Sequence, residues 1–223
     1  MSATIHTVNI QFPEIALAPR DAHKLRGYLG RLFQDHSPLL HNHLEGGGLR
    51  YGYPLVQYKV LNKVPTLVGL AEGAQLLTEL FLKIQEIRLE DAVYPVMSKN
   101  IQSATPEIGV SDELFTYQFQ TLWMALNQEN YRRYQRLAPP GQTALLRRIV
   151  TGNVLSFFKG IGVFLTKEER ILVQLQVQPR QTQFKNQPML AFQGKLTTNV
   201  ALPESIGIGK AVSRGFGTLR RIM

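Results

Sequence analysis

The sequence predicts an α+β fold built from two tandem βαββαβ units. Three observations support this prediction. First, apolar residues alternate with a period of two in some stretches and recur with helical spacing in others. Second, the order of these patterns in the first half of the chain returns, less regularly, in the second half. Third, apolar residues make up 44% of the 223 positions. Since domains usually contain about 100–200 residues, we expect one domain at residues 1–108 and another at residues 109–223.

The first half contains the more regular set of patterns. Residues 4–12 alternate between apolar and polar and predict a strand, and residues 18–34 carry an apolar stripe that predicts a helix. Two short strands are expected around the Gly-Tyr-Pro turn within residues 46–62. An amphipathic helix from about Ala71 and a strand region from Ala92 complete the order βαββαβ, which is that of ferredoxin-like domains and of the RRM-like domains among them.

The second half shows a similar order with additional helical material. Residues 113–126 form an aromatic-rich, alternating run that predicts a strand, and residues 127–136 are helical in pattern. A longer helix is expected from about Thr143, weakened by Gly152. Three further strands are predicted in the runs ERILVQLQVQ, PMLAFQGKLTTNVAL and GFGTLRRIM.

Positive charge is concentrated in the second half of the chain. Residues 1–120 contain ten Lys and Arg against twelve Asp and Glu, whereas residues 121–223 contain fifteen against four. Several of these arginines occur as adjacent pairs in separate segments, as a folded basic groove would need. The distribution favours binding to nucleic acid over a membrane surface, which would require a basic amphipathic helix with an aromatic face, and over a general effect on solubility.

Cysteine is absent, which excludes disulfides, thiolate catalysis and cysteine-ligated zinc. The chain contains no apolar run of about 18 residues, the length that a membrane-spanning helix requires, and its N-terminus lacks the pattern of a secretory signal. We therefore expect a cytoplasmic protein that is not bound to a membrane.

Near its end the chain reads ESIGIGKAVSRGFGTL, in which two G-x-G pairs flank five residues that include Lys210 and Arg214. Val212 breaks the G-x-G-x-x-G pattern of dinucleotide sites, and no Gly-Lys-Ser/Thr of a P-loop follows. A flexible loop before a terminal strand is one interpretation. The other, favoured by the interleaved cations, is that the backbone of Gly207 and Gly209, at positive φ, approaches RNA phosphates. Gly215 and Gly217 form the second pair of the loop.

Three of the five histidines, His36, His41 and His43, lie within eight positions. On an extended segment, two residues that are two apart point to the same side, so His41 and His43 would present a pair of imidazoles. With an unperturbed pKa near 6.5, such a pair could divide the acid and base roles around a phosphodiester. Alternatives are a solvated loop and a metal site with Asp35 or Glu45 as a fourth ligand.

The acidic residues argue for a mechanism without a metal ion or cofactor. Only four carboxylates occur in the basic half, too few to suggest the paired carboxylates of a two-metal nuclease, and no G-x-S-x-G nucleophile motif is present. The nucleophile would then come from the substrate, and RNA supplies a 2′-hydroxyl where DNA does not. The expected products are a 2′,3′-cyclic phosphate and a 5′-hydroxyl.

These residues resemble those of a known family. The closing GIGKAVSRGFG is similar to the glycine-rich signature of the CRISPR-associated repeat-processing endoribonucleases, the Cas-six family of the repeat-associated RNA-binding superfamily. The HNHL block followed by RYGYPLVQYK resembles one branch of that family. The resemblance implies metal-independent cleavage of precursor CRISPR RNA within its repeats, and it leaves open a non-catalytic repeat-binding subunit of an effector complex.

The resemblance also implies roles for individual residues. His41 and His43 map to the catalytic pair, without deciding which is the base, and His36, Tyr51 and Tyr53 are candidates for support. The expected partner is CRISPR repeat RNA, while other effector subunits and a homodimer are left open. The candidate RNA contacts are Arg147, Arg148, Lys159, Lys210, Arg214 and Arg220, beside the glycine-rich loop of Gly207, Gly209, Gly215 and Gly217.

Overall fold

The computed structural model describes residues 3–33, 52–184 and 187–222, which form two compact units. The N-terminal unit comprises Thr4–Pro106 together with Ser213–Gly215, a short return of the chain from near its end. The C-terminal unit comprises Glu107–Val212 and the stretch that follows Gly215, and it includes Ala3 from the start of the chain. The first strand, β1, is Ala3–Thr4.

In the N-terminal unit the predicted order of strands and helices is confirmed. Strands β3, β4, β2 and β7 are neighbours in that order in an antiparallel sheet, and a separate β5-β6 hairpin is inserted before β7. The elements are β2 (Thr7–Gln11), α1 (Ala22–Leu32), β3 (Val56–Leu61), β4 (Val64–Leu70), α2 (Glu72–Leu80), β5 (Glu86–Leu89), β6 (Ala92–Pro95) and β7 (Asn100–Ala104).

One face of this sheet is buried beneath the two helices. Ile10, Leu67 and Tyr58 are paired across β2, β4 and β3, and each is at most 1% exposed. Residues directly opposite each other lie on the same face of a sheet, so these three side chains join Leu25 of α1 and Leu77 of α2 in one apolar core. The period-two pattern of residues 4–12 and the period-3.6 pattern of residues 18–34 therefore predicted a strand and a helix that do contribute to this core, through Ile10 and Leu25.

The turn between β3 and β4 differs from the prediction. The strands were expected around Gly-Tyr-Pro, but the hairpin turns at Asn62 and Lys63, whose φ angles are 51° and 69°. Such a two-residue turn is usually predicted from Asn-Gly or Asp-Gly. Here lysine takes the place of glycine, so the sequence pattern does not predict the turn. As a result β4 occupies Val64–Leu70, a stretch in which the proline at its second position discourages a strand prediction.

The C-terminal unit has the same strand order without the second helix. Strands β8, β10 and β9 are neighbours, and β11 and β1 pair with β8. Between β10 and β11 lies the glycine segment, residues 202–218, which contains only a 3-10 turn at Val212–Arg214 where the other unit has a helix. The elements are β8 (Glu107–Phe119), α3 (Gln128–Arg136), α4 (Pro139–Gly160), β9 (Val173–Phe184), β10 (Gln187–Ala201) and β11 (Leu219–Ile222).

The helices of the C-terminal unit begin at recognisable signals. The Asn127 side chain accepts a hydrogen bond of 2.7 Å from the Asn130 amide and caps α3. Helix α4 begins at Pro139, earlier than the predicted Thr143, because proline is tolerated in the first turn, where its missing N–H costs no hydrogen bond. In the part of the chain that the structure describes, no helix is both long and apolar enough to cross a membrane.

An aromatic cluster closes the core of the C-terminal unit. The strand predicted over residues 113–126 ends at Phe119, and Trp123 forms only an isolated bridge with Phe192 of β10. The Trp123 ring stacks on Phe119 at a centroid distance of 5.4 Å and is fully buried. Its indole N–H donates to Asn153 Oδ1 of α4 at 3.1 Å, which satisfies the one polar atom of the side chain.

Two glycine substitutions test this packing in opposite directions. Gly152 is exposed within α4, and a Cβ there would meet no atom within 4 Å. Gly152→Ala should therefore stabilise the protein by ~0.5–1 kcal/mol through helix propensity and raise the melting temperature by roughly 1–4 °C. At Gly194, with φ 147°, a Cβ would lie 2.0 Å from the Gln176 carbonyl oxygen, so Gly194→Ala should lower it. Calorimetry in which Gly194→Ala melts at or above the wild-type temperature would contradict the described strand pairing.

Candidate nucleic-acid interface

The histidine segment lies outside the described residues. His36, His41, His43 and Tyr51 all fall between residue 33, where the first described range ends, and residue 52, where the next begins. Their catalytic or supporting roles therefore stay predictions. Among the residues that the structure does describe, no three His, Asp or Glu side chains are grouped as metal ligands.

Tyr53 lies two residues beyond this segment and is tied to the start of β3. Its hydroxyl accepts a hydrogen bond of 2.9 Å from Gln57 Nε2, which also donates to the Pro54 carbonyl at 3.2 Å. Burial raises the pKa of the Tyr53 hydroxyl above its usual range, and the bond from Gln57 opposes the shift only partly. Tyr53 is therefore a neutral phenol at physiological pH, suited to donating a hydrogen bond and unsuited to acting as a base.

Strand β3 also buries a lysine that the sequence analysis did not identify. Gln57 and Lys59 alternate with the core residue Tyr58, and all three are at most 1% exposed. Burial lowers the pKa of the Lys59 amine from 10.5 to about 7. An amine that changes charge near neutral pH is typical of functional positions. The only sequence signal is the placement of two polar residues at a period of two inside an otherwise apolar strand.

The glycine segment is hydrogen-bonded to itself, which contradicts the flexible-loop interpretation. The Ile208 amide donates to the Gly217 carbonyl at 3.0 Å, and Gly207 forms a bridge with Thr218. The Lys210 amide donates to the Met124 carbonyl at 2.9 Å, so the backbone of this exposed cation is fixed.

Protein atoms account for the missing side chains at two of the glycines. At Gly209, with φ 98°, a Cβ would lie 2.7 Å from Trp123 Nε1, and at Gly217, with φ 65°, it would lie 1.9 Å from the Ile208 carbonyl oxygen. Gly207 does not have the positive φ that the sequence analysis expected of it. Gly209 and Gly217 are thus needed for close packing within the fold.

Gly215 and Arg214 belong to the N-terminal unit, at the edge of its sheet. Gly215 has φ 87°, and a Cβ there would lie 3.2 Å from the Tyr58 carbonyl oxygen and 3.2 Å from Ala22 Cβ. Beside it, burial and the positive charge of Arg26 lower the pKa of the Arg214 guanidinium. Arg26 of α1 is thus close enough for its charge to act on Arg214, which lies next to Gly215 beside β3.

The other predicted RNA contacts lie in the C-terminal unit. Arg147, Arg148 and Lys159 are exposed on α4, and Arg220 is exposed on β11. Arg148 and Lys159 are eleven residues apart, three helical turns, so they project from the same side of α4 at a separation of ~16 Å along its axis. The structure thus places the predicted cations on three elements: one helix, one strand and the glycine segment.

Comparisons with known proteins match nearly the whole chain. The family model described as the Cas6b N-terminal domain matches residues 3–107, and that of the Cas6b C-terminal domain matches residues 109–222. A crystal structure of Cas6b has 32% sequence identity and a TM-score of 0.92, covering 99% of this chain and all of that one. A second, of a CRISPR RNA processing endoribonuclease Cas6b, has 29% identity and a TM-score of 0.80 with the same coverage. An uncharacterized protein of Methanocaldococcus jannaschii is 33% identical over 145 residues, which are 65% of this chain and 97% of that protein.

The buried amine of Lys59 should make stability depend on pH. Between about pH 7 and 10.5 the unfolded chain holds a proton on Lys59 that the folded chain has released. The free energy of unfolding should therefore increase with pH over this range, by up to ~1.4 kcal/mol per pH unit from this group. In Lys59→Met that increase should be lost and the stability at pH 7 raised, as urea unfolding at several pH values would measure. The exposed Lys167→Met is the control, and equal pH dependence in Lys59→Met and the wild type would contradict the shifted pKa.

Proposed function

The chain belongs to the Cas6b family of CRISPR RNA processing endoribonucleases, and from this we propose that it cuts precursor CRISPR RNA within each repeat, without a metal ion, to release guide RNAs. The observation that supports the proposal most is the match of both family domains over residues 3–107 and 109–222. We take the working domains to be residues 1–108 and 109–223, and the cytoplasm to be the compartment. CRISPR repeat RNA is the proposed partner.

The proposed reaction is an internal transesterification. One imidazole of His41 and His43 removes the proton of the ribose 2′-hydroxyl, and the 2′-oxygen forms a new bond to phosphorus. The bond from phosphorus to the 5′-oxygen breaks, and the other histidine, as imidazolium, protonates that leaving oxygen. The products are a 2′,3′-cyclic phosphate and a 5′-hydroxyl, and the two protons exchanged with the enzyme balance.

Positive charge beside the scissile phosphate would lower the barrier further. The pentacoordinate intermediate carries more negative charge than the substrate, and fixed cations stabilise it without reorganisation. Arg214, held near Arg26 beside β3, and Lys210, on its fixed backbone, are the groups proposed for this task. We propose Tyr53, neutral and bonded to Gln57, as a positioning residue for the scissile nucleotide.

The remaining cations would hold the repeat along the C-terminal unit. We assign phosphate contacts to Arg147, Arg148 and Lys159 on α4 and to Arg220 on β11, because these side chains are exposed. Each phosphate neutralised on a single strand adds about −0.7 to the slope of log affinity against log salt. Four such contacts would make repeat binding fall steeply between low and physiological salt.

A single deoxyribose tests the proposed mechanism. Repeat RNA carrying 2′-deoxyribose only at the nucleotide upstream of the cut should bind with nearly unchanged affinity and not be cleaved in EDTA, because the nucleophile is missing. The measurement is gel analysis of end-labelled RNA alongside a filter-binding titration. Cleavage of the substituted RNA would disprove attack by the 2′-hydroxyl, and wild-type cleavage that stops in EDTA would indicate a metal-dependent nuclease.

Histidine substitutions separate an enzyme from a binding subunit. His41→Ala and His43→Ala should each lower the single-turnover cleavage rate by about 10²–10⁴-fold, the usual contribution of a general acid or base, and leave repeat affinity within about twofold. His6→Ala is the matched control, since His6 directly precedes β2, its Nε2 lies 2.9 Å from Ser103 Oγ of β7, and it has no proposed role. A wild-type protein that binds the repeat and never cuts it would instead support the non-catalytic effector subunit.

A further inference from the structure

The C-terminal sheet has a second face on which only Arg220 of β11 has so far been given a role. Leu175, Leu196 and Tyr117 are paired across β9, β10 and β8 and fill the core on one face. The residues next to them in each strand therefore point to the opposite face. At those positions the face, here called the amide face, carries Gln118, Gln176, Gln178, Arg180, Gln193 and Lys195, which line one shallow hollow.

The strand register arranges these side chains in two rows. In the first row Gln176 is opposite Lys195, Lys195 is opposite Gln118, and Gln118 is opposite Arg220. In the second row Gln178 is opposite Gln193. Four neighbouring strands at about 4.8 Å spacing give the first row a width of ~14 Å. This is the kind of sheet surface on which RRM domains hold two or three bases.

Hydrogen bonds within the amide face leave base-pairing groups directed outward. Arg180 Nε donates to Gln193 Oε1 at 3.2 Å, which leaves the Gln193 amide NH₂ to other partners. Gln118 Nε2 donates to the Gly194 carbonyl at 3.0 Å, which leaves the Gln118 side-chain oxygen to accept from other partners. The exposed amides of Gln176 and Gln178 make no hydrogen bond to any residue in the described ranges. An amide offers a donor and an acceptor in one plane, which is the pattern that base edges also present.

The charge of this face selects an anionic ligand. Strands β9, β10 and β11 contain no aspartate or glutamate. Arg180, Lys195 and Arg220 are all exposed. Strand β8, which carries Asp112 and Glu113 farther along, contributes Gln118 here, so the hollow and the first row contain cations and no carboxylate. Phosphates are attracted to such a surface.

The composition of the amide face also argues against other ligands. Protein interfaces depend on buried aromatic or aliphatic anchors, and membrane surfaces require an apolar face, yet neither row contains an apolar side chain. The aromatic rings on which RRM domains stack bases are likewise absent from the two rows. Recognition would therefore use hydrogen bonds to base edges, which are accessible in single-stranded RNA and engaged in pairing within a duplex.

We propose that the amide face binds a single-stranded stretch of RNA, with glutamine amides hydrogen-bonded to base edges and Arg180 and Lys195 on the neighbouring phosphates. The face would give the protein sequence preference at nucleotides away from the cut. The inference rests on the proposed function in that the RNA is the CRISPR repeat, but its residues are separate from the histidine segment.

A triple substitution with a control on the same hairpin tests this inference. The test variant is Gln176→Ala/Gln178→Ala/Gln193→Ala, and the control is Gln181→Ala/Gln183→Ala, two exposed glutamines on the other face of β9. Fluorescence anisotropy would measure affinity for an unstructured RNA of about 12 nucleotides from the repeat, within the usual site size for single strands, and for an abasic oligomer of equal length. The triple variant should bind the repeat RNA at least about tenfold more weakly, with unchanged abasic binding, and the control should match the wild type.

The cations should behave differently from the amides. Arg180→Ala/Lys195→Ala should weaken binding to both oligomers equally and flatten the salt dependence of affinity, because phosphates are present in both. The proposal would be overturned if the triple variant had the wild-type melting temperature and bound repeat RNA with wild-type affinity. It would also be overturned if the triple variant lost the same affinity for the repeat RNA and for the abasic oligomer. Cleavage is measured separately. If the wild type binds the repeat RNA through its bases and does not cut it, the proposed function is refuted and the amide-face proposal is supported. If the wild type cuts the repeat and the triple variant binds it unchanged, the proposed function is supported and the amide-face proposal is refuted.

Discussion

The positions of the cations in the glycine segment depend on close backbone packing at Gly209 and Gly217, where a side chain would not fit. The Trp123 ring fills the space beside Gly209, and the Ile208 carbonyl fills the space beside Gly217. Because these contacts fix the path of the chain where the other unit has a helix, Lys210 extends from a hydrogen-bonded position. A cation held in place by the fold stabilises developing charge more effectively than one on a mobile loop.

The two units contribute different chemistry on this account. In the N-terminal unit, burial lowers the pKa of the Lys59 amine to about 7, and the proposed catalytic histidines precede this strand in the sequence. The C-terminal unit supplies positive electrostatic potential. Its cations are exposed on α4 and on a sheet in which β9, β10 and β11 lack acidic residues. Under this proposal the excess of positive charge in the second half of the sequence serves mainly to bind RNA, while the proposed proton transfers belong to the first half.

Much of the fold could be predicted from the sequence, because several strands, such as β8, bury one face and so keep an alternating pattern, whereas β3 and β4 are buried on both faces. The prediction failed where tertiary contacts decide. Asn62 and Lys63 form a turn without glycine, and the strand expected through residue 126 ends at Phe119. The glycine pattern was evident in the sequence, but the residues that pack against these glycines were not, since only the fold brings Trp123 beside Gly209. Lys59 was missed because its burial depends on elements distant in sequence, while the roles of His41 and His43 stay predictions.

The most direct test of the central claim, attack by the substrate's own 2′-hydroxyl, is the chemistry of the product ends. Mass spectrometry of repeat RNA cut by the wild-type protein in EDTA reads both termini at once. Attack by the 2′-hydroxyl would leave a 2′,3′-cyclic phosphate on the upstream fragment and a 5′-hydroxyl on the downstream fragment. A 3′-hydroxyl with a 5′-phosphate would show that water attacked the phosphorus, which would contradict the proposed mechanism.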